Sequence, residues 1–264
     1  MNEMGEPIVC LPRMLPGDLT VPAAHTAAEL NPINRPPIER FPLVDEQYTI
    51  TEEHLAVLTT KFWQTAGVRL TVGFLDNPPA DLRARILLHM NAWAKTANVQ
   101  FVESSTAPQV RIARNDRPPA RAGFWSNLGT DILHIDDDQP TMNLEGFTMN
   151  TLESEFHRVV RHETGHTLGF PHEHLRRELV DRIDPAKAIE FFGAIQGWSP
   201  QMVRQQVLTP IEESSLFATT HADPNSIMCY QIPGSITKDG KPIFGGPDID
   251  DLDFQFAALI YPKL

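Results

Sequence analysis

The chain is poor in cysteine, in unbroken apolar runs and in basic charge, and each shortage removes a class of protein from consideration. Two cysteines, Cys10 and Cys229, in 264 residues exclude a disulfide scaffold. They can pair across nearly the whole chain, and the sequence leaves that open. No window approaches the roughly eighteen consecutive apolar residues of a membrane helix, so no membrane span is expected. Lys and Arg number 22 against 34 Asp and Glu, for a formal charge of −12. With no basic stripe either, nucleic acid is excluded as a partner, because phosphate binding needs concentrated Lys and Arg. The opening MNEMGEPIVCLPRML has no basic stretch leading into an apolar one, so no secretory signal is visible. Either the protein stays inside, or it leaves by another route, or a signal has already been removed.

What is present is ordinary for a soluble enzyme: 41% apolar and 21% charged residues. The length suits one large domain or two small ones sharing a core. Residues 1–45 are rich in proline and lack apolar periodicity, and they read as an extended, irregular arm. From residue 46 the chain reads as one folded catalytic domain. Alternation predicts strands over Arg69–Leu75, Val99–Glu103, Gln109–Ala113 and Asp131–Ile135. Asn77, followed by two prolines, opens a helix in which Leu82, Ile86, Met90, Trp93 and Ala97 share a face. A second helix spans Leu152 to Leu168, with Leu152, Phe156, Val159 and Val160 as its buried stripe. Phe191–Val207 is helical in part. A last helix covers Ile249–Tyr261, with Asp248 as cap and Ile249, Leu252, Phe256 and Leu259 inward. Strands and helices in this order suggest a mixed α/β layer, with a break in texture, and a subdomain boundary, near residue 172.

The chemistry concentrates in His162-Glu163-Thr164-Gly165-His166-Thr167-Leu168-Gly169-Phe170-Pro171-His172. Four residues apart on a helix, His162 and His166 stack on one face and can both reach one ion. Glu163 projects about 60° around the helix from His166, so it borders the metal without facing it, which suits a base acting on water. Gly169 can take the left-handed conformation that ends a helix, and His172 can then swing back as a third ligand. Three protein ligands leave a position open, the mark of a catalytic zinc site. An ordinary helix with incidental histidines does not explain Gly165, which is about 1 kcal/mol worse than alanine in a helix interior.

The extended motif HExxHxxGxxH resembles that of the metzincin zinc peptidases, which carry a methionine-containing turn downstream; here that turn is Ser226-Ile227-Met228-Cys229-Tyr230. Three further stretches resemble the astacin branch: Gly169 to Arg176, Gly123-Phe124-Trp125-Ser126, and Leu252-Asp253 through Tyr261. The likeness runs from about Val68 to Tyr261, without the usual bridging cysteines and with Cys229 where a histidine is common. It implies an α+β fold: a mixed twisted sheet with two long helices above, and a smaller irregular lower subdomain with a C-terminal helix. The implied activity is that of a zinc-dependent endopeptidase with one catalytic zinc, acting on protein or peptide substrates. The implied roles are proton transfer by Glu163, a fifth ligand and oxyanion donor in Tyr230, and an apolar floor in Met228. Tyr230 also reads as a plain buried tyrosine. Glu173 reads either as the acceptor of a new N-terminal ammonium or as a surface acid, and Asp131–Ile135 as a substrate-aligning edge strand or an interior one. Secretion is implied too, and a monomer is favoured.

The arm offers two ligands that could block an open metal position. Cys10 would bind as a thiolate; Asp18, in Leu15-Pro16-Gly17-Asp18, resembles the Gly-Asp of astacin pro-segments and is the preferred candidate. The arm is then an inhibitory segment, and the alternative is an inert tail. The other seven histidines, at 25, 54, 89, 134, 157, 174 and 221, read as structural. Asp136-Asp137-Asp138 reads as a solvated loop rather than a calcium site. Two competing functions remain: a non-catalytic, zinc-stabilised binding protein, against which Glu163 stands, and a zinc hydrolase acting on something other than protein.

Overall fold

The computed structural model describes Cys10 and residues 13–36, 56, 58–115, 122–211 and 222–263. Five strands form one sheet in the order β2-β1-β3-β5-β4, where β1 is Val68–Phe74, β2 Val99–Glu103, β3 Val110–Ala113, β4 Phe124–Ser126 and β5 Met142–Leu144. All pairings are parallel except β4 with β5. Three of the four strands expected from alternation are therefore present to within a residue or two. The fourth is not. Asp131–Ile135 falls in a 3-10 helix, Gly129–His134, and the sheet edge near it is β4, built from the Phe-Trp-Ser stretch.

Two helices back the sheet. Ala80–Met90 continues as a 3-10 turn, Asn91–Lys95, so Leu82, Ile86, Met90, Trp93 and Ala97 are all buried as their spacing predicts. Its cap position is Pro79 rather than Asn77, which has φ +46° and turns the chain before the helix begins. The second, which carries the histidine motif, runs continuously over 153–167, with a π turn at Phe156–Val160 between α-helical segments. Phe156, Val159 and Val160 are buried, while Leu152 just before it is 70% exposed.

The main core joins sheet, both helices and the C-terminal helix. A smaller cluster packs Leu179, Ala188, Phe192, Val203, Ile232 and Ile243 around the helix Pro185–Gln196 and the segment 200–208, which is helical in two short pieces. The C-terminal helix is Asp251–Ile260, capped by Asp250 in a reciprocal box with Asp253. It buries Asp253, Ala257 and Ile260, one position on from the expected stripe, and leaves Leu252 and Leu259 exposed. No described helix is long and apolar enough to cross a membrane.

Part of the arm is not irregular. Gly17–Leu30 is an α-helix that accommodates Pro22, and Pro32–Asn34 follows as a 3-10 turn. Asn34 fastens this unit to the rest of the fold. Its Nδ2 donates to Ala27 O and Phe62 O, both at 2.8 Å, and its Oδ1 accepts from Phe62 N at 2.9 Å and Thr60 Oγ1 at 2.8 Å. Asn31 adds a bond from its Nδ2 to Trp63 O. Upstream, Cys10 and Arg13 bridge to Phe124 and Asn127 in the parallel sense, so the arm lies along the free edge of β4.

Candidate metal centre

The motif helix needs no side-chain cap at its start because it continues from the preceding turn, and it ends where Gly169, at φ +93°, reverses the chain. The amides of Gly169 and Phe170 close this end on His166 O and Gly165 O. A Cβ at 169 would lie 2.8 Å from Lys61 O, so both backbone conformation and space favour glycine. His172 then returns toward the helix. Its Nε2 lies 3.2 Å from that of His162 and 3.0 Å from that of His166. The three rings are at most 2% exposed.

The outer nitrogens fix the chemistry of the inner ones. His162 Nδ1 donates to Ile227 O at 2.6 Å, and His166 Nδ1 donates to Phe170 O at 2.8 Å. With those protons on Nδ1, the Nε2 atoms of His162 and His166 carry lone pairs, aimed at one point from two sides. Burial holds the imidazoles neutral, His162 down to about 4 and the other two well below the usual range. Converging lone pairs on neutral, buried rings fit a cation, and borderline-soft nitrogen donors fit zinc. Cys10 Sγ joins the same cluster: each of these four residues offers a ligand atom within 4.8 Å of the others.

Glu163 is fully buried beside them. Its Oε2 accepts from the Cys10 thiol at 3.3 Å, and Oε1 has no partner among the described residues. Burial pushes its carboxyl up to about 8, and burial with the adjacent carboxylate raises the thiol as well. The Tyr230 ring lies 4.4 Å from that of His172. Its hydroxyl donates to the Cys10 carbonyl, and burial raises the phenol. Cys10 thus touches the histidine cluster, the glutamate and the tyrosine at once. Asp18, by contrast, is an exposed first-turn residue of the arm helix and takes no part in this cluster. Cys10 and Cys229 are both free.

The methionine turn is braced from the C-terminal helix. Asp253 accepts from Ser226 Oγ at 2.6 Å and from Ile227 N at 2.9 Å, which aims Ile227 O at His162. Met228 is buried against Gly165: a Cβ there would sit 2.4 Å from its sulfur. The helix-interior glycine therefore makes room for the floor of the site. Sequence reasoning missed the brace, although the Asp250-x-x-Asp253 spacing at a helix start was available to suggest that Asp253 is held in place. Glu173 is mostly buried, accepts from Asp223 N at 3.0 Å and pairs with Arg176 at 3.8 Å, so it is not a surface acid. Burial pushes it up to about 7.

Of the remaining histidines, 54 and 221 lie outside the described residues. His89 and His157 gather around Glu153, but Arg161 Nε donates to His89 Nδ1 at 3.3 Å, which puts the His89 proton on Nε2, 3.1 Å from Glu153. A ring nitrogen that carries a proton does not ligate. Asp248, expected as a helix cap, instead accepts from His157 and Arg161. Asp136-Asp137-Asp138 is exposed and in neither ligand cluster found among the described residues.

No family model matches the chain. Zinc metalloproteinase nas-27 of Caenorhabditis elegans is 32% identical over 104 residues, 39% of this chain, and the chain spans only 21% of that protein. Myroilysin is 29% identical with a TM-score of 0.71, covering 77% of this chain and 97% of the myroilysin chain. High choriolytic enzyme 1, a hatching-enzyme zinc protease of Oryzias latipes, shares the fold at a TM-score of 0.50 and 18% identity, covering 76% of this chain and 93% of its own.

Proposed function

We propose that this chain, an astacin-like metzincin in motif and in fold, is a zinc-dependent endopeptidase whose N-terminal arm, residues 1–45, holds it latent through Cys10. The observation that carries the reading is the convergence of the Nε2 atoms of His162 and His166 on that of His172, at 3.2 and 3.0 Å, the first two with their outer nitrogens committed to carbonyl oxygens. In this reading His162, His166 and His172 hold one zinc. Bound there, zinc supplies Lewis acidity toward a peptide carbonyl and toward water.

The chain's own residues do the rest. Glu163 takes the proton of the attacking water and passes it to the leaving amine; with the arm closed over it and no metal beside it, burial raises its carboxyl. The Tyr230 hydroxyl donates to the carbonyl oxygen as charge develops there, the role for which the Cys10 carbonyl is a stand-in. Met228 and Gly165 pack the floor and do no chemistry. The free edge of β4 is the surface that aligns an extended substrate backbone.

Latency follows from the same contacts. Cys10 brings a thiol to the cluster, caps Glu163 with a hydrogen bond and occupies Tyr230 with its carbonyl, and the arm fills the β4 edge. Asp18, the preferred candidate from sequence, is exposed and lies outside the ligand cluster that includes Cys10, which favours Cys10 as the blocking ligand. The test is hydrolysis of casein or a quenched peptide by Cys10→Ala and by Cys10→Ala with Glu163→Gln, alongside metal analysis. Activity in the first and a loss of about 10²–10⁴-fold in the second are expected, with zinc bound in both. Equal activity in the two refutes the mechanism.

A further inference from the structure

His174 is a buried histidine that the proposed chemistry leaves unused. It is fully enclosed and lies face to face with Tyr230, with ring centroids 3.9 Å apart and planes 18° apart. Its other neighbour is His172, at 5.0 Å and tilted by 42°. Tyr230 in turn meets His172 at 4.4 Å. Both nitrogens of His174 are engaged with backbone: Nε2 donates to Gln206 O at 2.9 Å, and Nδ1 then accepts from Tyr230 N at 3.4 Å. The ring cannot rotate without breaking both, and burial keeps it neutral by driving its pKa down to about 3.

We propose that His174 is a positioning residue for Tyr230, a flat wall that confines the phenol ring to the plane in which its hydroxyl reaches a bound carbonyl. The inference rests on the reading of Tyr230 as the oxyanion donor. A phenol joined to its backbone by two rotatable bonds has to be held if it is to meet a carbonyl within a few tenths of an ångström, and a displacement of about 1 Å costs up to roughly 10²-fold in rate. The stack blocks rotation of the ring out of its plane but leaves sliding parallel to the imidazole face. The hydroxyl can therefore leave the Cys10 carbonyl and find a substrate carbonyl at the same place. Anchoring to Gln206 ties the wall to the segment 204–208, and its second bond is to the backbone amide of Tyr230, so neither anchor depends on where the phenol ring lies.

Two variants separate the wall from the anchors. His174→Phe keeps a ring and loses both hydrogen bonds; His174→Gln keeps a polar group and loses the ring. In the Cys10→Ala chain, His174→Gln is expected to lower kcat about 10- to 100-fold with KM changed less than about threefold, whereas His174→Phe recovers most of the loss. Added to Tyr230→Phe, His174→Gln should cost less than about threefold more, because the group it positions is already gone. A second readout needs no activity. The chain has three tyrosines, so ring-labelled tyrosine gives a spectrum in which Tyr230 is assigned by its loss in Tyr230→Phe. Its ring-current shift should persist in His174→Phe and collapse in His174→Gln. Equal losses of kcat in both variants, an effect undiminished without the Tyr230 hydroxyl, or a Tyr230 signal unmoved by His174→Gln each overturns the inference. Full activity in Tyr230→Phe alone overturns the underlying reading of Tyr230, and it is seen independently of anything done at residue 174.

Discussion

Asn34→Ala should unlock the arm, and the structure sets the size of the effect. Asn34 is 1% exposed, and its side chain serves both backbone polar groups of Phe62, which is itself buried. With alanine in its place, the closed arm still covers Phe62 but leaves its N–H and C=O without that partner. When the arm lifts, water satisfies both. The penalty therefore falls on the closed state alone. At about 1 kcal/mol for each orphaned group, the low end of the usual range, the closed state loses about 2 kcal/mol, roughly thirtyfold in the population of lifted arm. The assay is alkylation of Cys10 by a small thiol reagent in the full chain, followed by mass spectrometry. Cys10 is fully buried when the arm is down, and Cys229, 3% exposed in the smaller core cluster, reports global opening. Faster labelling of Cys10 with Cys229 unchanged is the expected result. Labelling of both in parallel, or no acceleration at Cys10, refutes the claim that the asparagine latch and the thiol lift together.

Other substitutions should behave as follows. Asp18→Ala should change Cys10 labelling less than about fivefold, the most a first-turn acid contributes through the helix dipole, while Cys10→Ala should give measurable peptidase activity without truncation of the arm. Gly165→Ala and Gly193→Ala should differ in sign: a methyl at 165 meets the Met228 sulfur at 2.4 Å, whereas at 193 it meets only Trp198 O at 3.6 Å. Denaturant melts should show a net loss of about 1 kcal/mol for the first, overpacking outweighing helix propensity, and a gain of about 0.5–1 kcal/mol for the second. In metal-free protein, Glu173 holds its proton more tightly folded than unfolded, since burial raises its pKa from 4.5 to about 7. Its contribution to stability is thus present below pH 4.5 and lost as the pH rises toward 7. Glu173→Gln should flatten that part of the stability–pH curve, and an unchanged slope would show that Glu173 is not its source.

The parts of the site that were legible in the sequence are those set by local geometry. His162, His166 and Gly169 announce themselves because helix pitch and a left-handed turn depend only on neighbours in sequence. The stripe Leu82, Ile86, Met90, Trp93, Ala97 was equally plain, even across a change from α to 3-10 winding. Misreadings arose where tertiary contacts overrode the pattern. The C-terminal helix turns a carboxylate inward, because Asp253 has to reach Ser226 and Ile227. Counting apolar residues therefore selected the neighbouring face. In Asp131–Ile135 alternation suggested a strand, yet Asp131 is buried against Lys61 at 3.5 Å and Thr130 N bonds Lys61 O, which curls the segment into a 3-10 turn. The sheet edge fell instead to three residues too few to show any period.

The arm shows the same division most clearly. Leu15-Pro16-Gly17-Asp18 is physically a helix start, with an acid in the first turn facing water, and its resemblance to a blocking motif carries no information about where that turn lies. Cys10 has no flanking pattern, and nothing local marks it; it reaches Glu163 across 153 residues of sequence. Its place is fixed by contacts at both ends of the described arm: the bridges to β4 that begin at Cys10 itself, and the asparagine latch at residues 31–34. A short segment held at both ends keeps its reactive group at high effective concentration without any affinity of its own. For that reason a blocking ligand is better sought among residues whose own backbone is tethered at the site than among those whose neighbours look familiar.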